Sequence, residues 1–160
     1  MFDFSPDPGL DPAERHRQLC SAADALTDSE SDAIANMANI AALMWEFLPE
    51  LNWAGFYRVI DDELVLGPFV GRPACIRIPL GQGVCGAAAA SGDTQLVEDV
   101  HAFPGHIACD AASRSELVVP IKRDGRVLAV IDLDSPSPAR FTAEDARGIE
   151  RLAELLSGRI

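Results

Sequence analysis

The sequence predicts an α+β domain: a mostly antiparallel sheet with helices from the two ends of the chain on one face. Three observations predict it. Apolar residues recur at helical spacing near both termini, β-branched and aromatic runs fill the middle, and tight-turn dipeptides join those runs into hairpins. Antiparallel hairpins flanked by helices bury one sheet face under the helices and leave the other for a loop-roofed pocket.

The elements follow in order. Residues 1–10 carry acids and prolines without an apolar period and read as a flexible lead-in. Asp11 to Leu26 reads as a helix, with Pro12 in the first turn, where its missing N–H costs nothing. Ser29 to Leu48 reads as a second helix capped by Ser29 or Ser31, with a stripe formed by Ile34, Met37, Ala38, Ile40, Ala41, Met44, Trp45 and Leu48. Pro49 ends it. Trp53–Ile60 and Glu63–Phe69 are predicted strands joined at Asp61-Asp62. Ala74–Pro79 is a predicted short strand with Cys75, Arg77 and Pro79 on one face. The run Gly81-Gln82-Gly83 turns into a small-residue helix over 84–91, and Gln95–Glu98 is a brief strand. Residues 99–114 have no period and read as a long loop, a feature that in a compact domain is usually functional. Strands over 117–122 and 126–133 meet at Asp124-Gly125. The last helix starts at Thr142, with Asp145 completing a capping box and Phe141 as staple.

Bulk properties narrow the function. A chain of 160 residues, 48% hydrophobic, fits one domain over 1–160 with a sizeable core. The net charge of −12 argues against nucleic acid and anionic membrane surfaces, both of which need a basic face. No apolar run is long enough to span a bilayer, and the first residues lack the basic and apolar regions of a signal peptide, so the expected location is the cytoplasm. In that compartment the four cysteines are expected to be catalytic, metal-binding or buried thiols rather than structural disulfides.

The thiol chemistry concentrates between Pro73 and Ser115, and the candidate acids lie beyond it. Cys109 lies in the long loop, three residues after His106, which could stabilise a thiolate if protonated and close. Cys85 sits in the first turn of the small-residue helix, where the helix dipole should lower its pKa. The residues alone nominate these two thiols equally, and a buried structural role for each stays open. Cys75, taken alone, reads as core, and becomes a candidate resolving cysteine only beside a reactive thiol. Cys20 stands apart in a helical pattern and reads as a small packed residue. Asp132 and Asp134, two apart on a strand, share a face that begins with apolar Val130. Buried there, they need a cation or hydrogen bonds; past the strand end, they would be solvated. Glu116 opens the neighbouring strand and can join them, giving acids suited to an ammonium ligand or a proton donor of raised pKa. Trp53 and Tyr57, four apart on a strand, share a face and read as core aromatics or as pocket walls. A zinc site from Cys75, Cys85, Cys109 and His106 is disfavoured, because the spacings hold no C-x-x-C pair.

Five stretches, Gly71 to Ile78, Gly81 to Gly86, Glu98 to His101, Gly105 to Ser113 and Ile131 to Ser135, resemble the free methionine-(R)-sulfoxide reductases. That family is a single GAF domain acting on the free amino acid. The resemblance runs from the first helix to the last, and the order and spacing of its three cysteine motifs are far more specific than a GAF fold. It implies that Cys109 is the nucleophile that takes the sulfoxide oxygen as a sulfenic acid, that Cys75 resolves it as a disulfide, and that thioredoxin reduces the pair. Cys85 matches a third cysteine able to join thiol exchange. Glu116, Asp132 and Asp134 match acids that bind the substrate amino group and protonate the sulfoxide oxygen, and Trp53 and Tyr57 match aromatics around the thioether. The implied partners are free methionine sulfoxide and thioredoxin, with no further cofactor and no metal; the oligomeric state is open, a homodimer included. The alternative is a non-catalytic GAF domain sensing a small molecule or oxidant.

Overall fold

The computed structural model describes residues 4–107 and 110–160. The elements run α1 (Pro12–Thr27), α2 (Ala33–Phe47), β1 (Trp53–Ile60), β2 (Glu63–Gly71), β3 (Arg77–Pro79), α3 (Gly83–Ser91), β4 (Gln95–Val97), a 3₁₀ turn (Val100–Ala102), β5 (Ser115–Arg123), β6 (Arg126–Ser135) and α4 (Ala143–Leu156). The strands form one antiparallel sheet in the order β3-β2-β1-β6-β5-β4. Among the described residues, no helix is long and apolar enough to cross a membrane.

The hairpin turns follow from local chemistry. Asp61 and Asp62 both adopt positive φ, 52° and 61°, as do Asp124 and Gly125, 52° and 76°. Two left-handed residues give the twist that a two-residue hairpin needs, and Asp, Asn and Gly tolerate it best. With those turns fixed, alternation decides each face. Ala54, Phe56, Leu117, Val119, Ile131 and Leu133 form one cluster under α1, α2 and α4. Each fully buried Val, Leu, Ile or Phe side chain there contributes about 1.5–3 kcal/mol. Trp53, Tyr57, Val118 and Val130 face the other way, against Val84, Cys85 and Ala88 of α3. The pocket-bearing face is thus covered by a helix as well as by the loop.

The helices depart from expectation in detail. Asp32, not Ser29 or Ser31, caps α2, its carboxylate accepting from Ala35 N at 2.8 Å. The buried stripe of α2 is also rotated: Asn36, Met37, Ile40, Ala41, Leu43, Met44 and Phe47 point inward, and Ile34 and Trp45 face solvent. The alanine-rich helix offers two near-equivalent apolar faces, and the buried asparagine settles the choice by donating to Arg159 O at 2.8 Å. Cys75 precedes β3 instead of lying on it, and Ile76 is largely exposed. The segment before α1 is tied down where described: Gln18 donates to Asp7 at 2.7 Å, and Phe4 packs on the core.

The start of α4 organises one end of the fold. Thr142 and Asp145 form the expected capping box. Asp145 also accepts from Arg140 Nη1 at 3.1 Å and lies 2.9 Å from Nε2 of buried His16 on α1. Gly148 makes this crossing possible, since a Cβ there would stand 2.2 Å from the His16 ring. Burial alone would raise the Asp145 pKa, but the hydrogen bonds from His16 and Thr142 and the Arg140 charge bring it down to about 2. A depressed carboxyl stabilises the fold above its ordinary value near 3.8, and that contribution is lost as pH falls towards 2. Asp145→Asn is therefore expected to cost about 2 kcal/mol at neutral pH. Urea denaturation between pH 2 and 7 should show the variant's loss vanishing at the acid end.

Candidate active site

Three adjacent strands aim their side chains into one pocket. The pairing sets Trp53 of β1 opposite Asp134 of β6, and Asp134 opposite Glu116 of β5. One pleat further along, Gly55 faces Asp132, and Asp132 faces Val118. β6 runs to Ser135, so both of its acids belong to the strand and are not solvated beyond its end. Trp53, Tyr57, Cys85, Glu116, Asp132 and Asp134 all line a pocket of about 530 Å³ of empty space, its open mouth included. The pocket also meets His106, Ile107, Asp110 and Ser113 of the long loop.

The aromatic wall is rigid. Trp53 stacks on Tyr57 at 5.9 Å between ring centroids and on Phe69 at 5.2 Å. Such pairs add about 0.5–1.5 kcal/mol beyond burial. Gly55 permits the arrangement, because a Cβ there would lie 2.4 Å from Phe69 Cβ. Both polar tips are satisfied: Trp53 Nε1 donates to Arg72 O at 3.1 Å, and Tyr57 OH donates to Cys75 O at 2.9 Å. The second bond anchors the backbone of Cys75 to the pocket wall. Cys75 is disulfide-bonded, whereas Cys20 and Cys85 are free thiols. Cys109, with Ala108, lies outside the described residues. Cys20 packs at the α1–α4 contact with its Sγ 3.9 Å from Gly148 O, as a small packed residue should.

The electrostatics are dominated by burial. Glu116 and Asp132 are 7% and 6% exposed, and among the described residues no lysine or arginine lines the pocket. Burial, then Asp132 and Asp134, push the Glu116 pKa well up. Burial and the Asp132 charge do the same to Asp134, against a hydrogen bond to Ser113. Asp132 rises to about 6 through burial, partly offset by hydrogen bonds to Cys85 and Glu116. Its Oδ1 is buried without a partner among the described residues. Three clustered acids cannot all ionise, so the set stores protons and attracts cations.

This overturns the expected low pKa of Cys85. The thiol does sit in the first turn of α3, but it is buried against Asp132 and Glu116, with Sγ 3.9 Å from Glu116 Oε1. Burial and those two acids raise its pKa well above the free value. Desolvation and two carboxylates outweigh the roughly half charge of a helix end. His106 is likewise shifted down by burial and by His101, whose ring lies 6.4 Å away, so its protonated form is disfavoured.

Sequence reasoning missed Asn52. Its Nδ2 donates to Ser113 Oγ at 3.0 Å and to Asp110 Oδ2 at 3.2 Å, while its backbone N–H donates to Asp134 O at 3.0 Å. Asn52 therefore clasps the long loop to the end of β6 that carries Asp134. Its partners lie 58 and 61 residues away, so no local pattern marks it.

The raised Asp132 pKa has a stability consequence. Its folded state prefers the neutral acid, so no penalty exists below about pH 4; one grows as pH rises from there and is fully present above about 6. The penalty is on the order of 3 kcal/mol. Asp132→Asn is expected to raise the melting temperature at pH 7 and to leave it nearly unchanged at pH 4; calorimetry across that range checks it.

The GAF domain family matches residues 34–160. The free methionine-R-sulfoxide reductase of Escherichia coli K12 is 51% identical over 133 residues, covering 83% of this chain and 81% of that protein. The enzyme of the same name from Saccharomyces cerevisiae is 41% identical, covering 92% and 87%. The structure of free methionine-R-sulfoxide reductase from Neisseria meningitidis in complex with its substrate superposes with a TM-score of 0.95 at 44% identity, covering 99% of this chain and 95% of that one. With its fold and its sequence held in common with these enzymes over most of its length, the chain belongs to the GAF-domain family and, within it, to the free methionine-R-sulfoxide reductases.

Proposed function

We propose that the protein reduces free L-methionine (R)-S-oxide to methionine, with Cys109 as nucleophile, Cys75 as resolving thiol and thioredoxin as reductant. The observation that carries the reading is the buried acid cluster of Glu116, Asp132 and Asp134 beside the Trp53–Tyr57 wall, at which the backbone of Cys75 is anchored. A zwitterionic amino acid with an apolar side chain matches both halves of that pocket. Its ammonium pairs with the acids, including the unpartnered Asp132 Oδ1, and its thioether packs on the aromatic rings. A peptide-bound methionine has no such ammonium.

The chemistry follows. The Cys109 thiolate attacks the sulfoxide sulfur while a protonated acid of the cluster donates to the sulfoxide oxygen; burial keeps such a proton available at neutral pH. The S–O bond breaks, the oxygen passes to Cys109 as a sulfenic acid, and the electron pair stays on methionine. The Cys75 thiol displaces that oxygen as water and forms a disulfide. The thioredoxin dithiol then reduces the disulfide and is itself oxidised. The disulfide-bonded state of Cys75 supports its assignment. Cys85, a neutral buried thiol, serves as a hydrogen-bond donor to Glu116 and as a reserve for thiol exchange. A thioredoxin-dependent cycle suits a cytoplasmic enzyme.

The assay couples thioredoxin, its reductase and NADPH to the separate free (R) and (S) sulfoxides. Turnover of the (R) form alone is expected; turnover of only the (S) form or of protein-bound substrate overturns the proposal, and binding without turnover returns the sensor reading. Cys109→Ser should abolish turnover, and Cys75→Ser should release roughly one methionine per site before stalling. Asn52→Ala, which frees the loop from the acids, should lower kcat by about tenfold with a smaller change in KM, measured in the same assay.

A further inference from the structure

We propose that Cys85, Glu116 and Asp132 form a binding site for a thiophilic divalent cation of the zinc or cadmium type, and that this cation competes with the substrate ammonium. The competition rests on the functional reading above; the metal site does not.

The geometry is that of a preformed three-ligand set. One ligand atom from each of the three buried residues lies within 4.8 Å of the others. The Cys85 sulfur and the Glu116 oxygen are 3.9 Å apart. Zinc–sulfur and zinc–oxygen bonds of about 2.3 and 2.1 Å place tetrahedral neighbours roughly 3.5 Å apart, so a few tenths of an ångström of closure would complete that pair. The three residues come from α3, β5 and β6, elements held by helix packing and by the strand ladder, so little order needs to be gained on binding. An independent observation points to a cation: Asp132 Oδ1 is buried without a hydrogen-bond partner among the described residues, in a residue 6% exposed that lines the pocket. All three residues line the pocket, so a water or another small donor from it can complete the ligand set.

The ligand chemistry selects the class of ion. A thiolate with two carboxylates favours zinc and cadmium over magnesium and calcium, which take oxygen ligands alone. Binding displaces the Cys85 proton and neutralises both acids, replacing a buried like-charge cluster by a compensated one. Since the same acids face the ammonium subsite, metal and amino acid exclude each other.

The test uses the full chain in its disulfide form with Cys20→Ser, so that Cys85 is the free thiol and no turnover intervenes. Cadmium chloride is titrated and the ultraviolet thiolate-to-cadmium charge-transfer band is read. A band saturating at about one cadmium per chain is expected. It should vanish in Cys85→Ser, a near-isosteric change, and Asp132→Asn should weaken binding by at least about tenfold. Free L-methionine, which carries the ammonium but is not reduced, should raise the apparent dissociation constant for cadmium. No band, or an equal band in folded Cys85→Ser, overturns the site. A metal-free protein that still turns over the (R) sulfoxide then leaves the enzymatic reading intact. Cadmium binding that methionine does not weaken overturns the competition.

Discussion

The burial of three carboxyl groups on one face of β5 and β6 is the constraint on which the site depends. Glu116, Asp132 and Asp134 occupy that covered face at a cost, because each must leave water beside two others. The cost is offset by the apolar cluster on the opposite face, where Phe56, Leu117, Ile131 and Leu133 alternate with the acids and aromatics along the same strands. One set of strands therefore carries both strongly stabilising and strongly destabilising burial. A fold strained in this way is arranged for a ligand able to relieve it, and a cationic group does so by pairing with the ionised members of the set.

α3 turns that face into a chemical site. Its run of Gly and Ala lets the helix lie close to β3; a Cβ on Gly86 would sit 2.6 Å from Pro79 O. The close approach lowers Cys85 into the acids and removes it from solvent. A thiol at a helix N-terminus is usually read as activated, yet the same helix here delivers it to the place least able to hold a thiolate. Position on an element is thus a poor guide to reactivity when the tertiary neighbours are charged. The same neighbours, with a metal ion in place of the proton, make the sulfur a ligand.

The loop between β4 and β5 is bound to the sheet by side chains at Asn52 and Ser113 and by the Arg114 backbone N–H donating to Ser135 O at 2.7 Å. Asn52 holds both Asp110 and Ser113, and Ser113 in turn hydrogen-bonds Asp134. The loop's position and the protonation of the acid cluster are therefore linked through a few hydrogen bonds. A second network, centred on Asp145, joins α1, α4 and the segment after β6, and keeps the opposite face in register.

Much was determined by the sequence alone, and for local reasons. The hairpins follow from Asp61-Asp62 and Asp124-Gly125, the α4 cap from Thr142 and Asp145, and the shared face of Trp53 with Tyr57, and separately of Asp132 with Asp134, from strand periodicity, because each depends on residues a few positions apart. The motifs around Cys75, Cys85 and Cys109 carried the family resemblance. What only the tertiary structure decided depends on residues far apart in the chain. The inward face of α2 was chosen by Asn36 meeting Arg159, the upward pKa shift of Cys85 by Asp132 and Glu116, and the loop clasp by Asn52 reaching Asp110 and Ser113. Electrostatic energies vary with distance and burial, and neither is written in sequence spacing once the chain has folded back on itself.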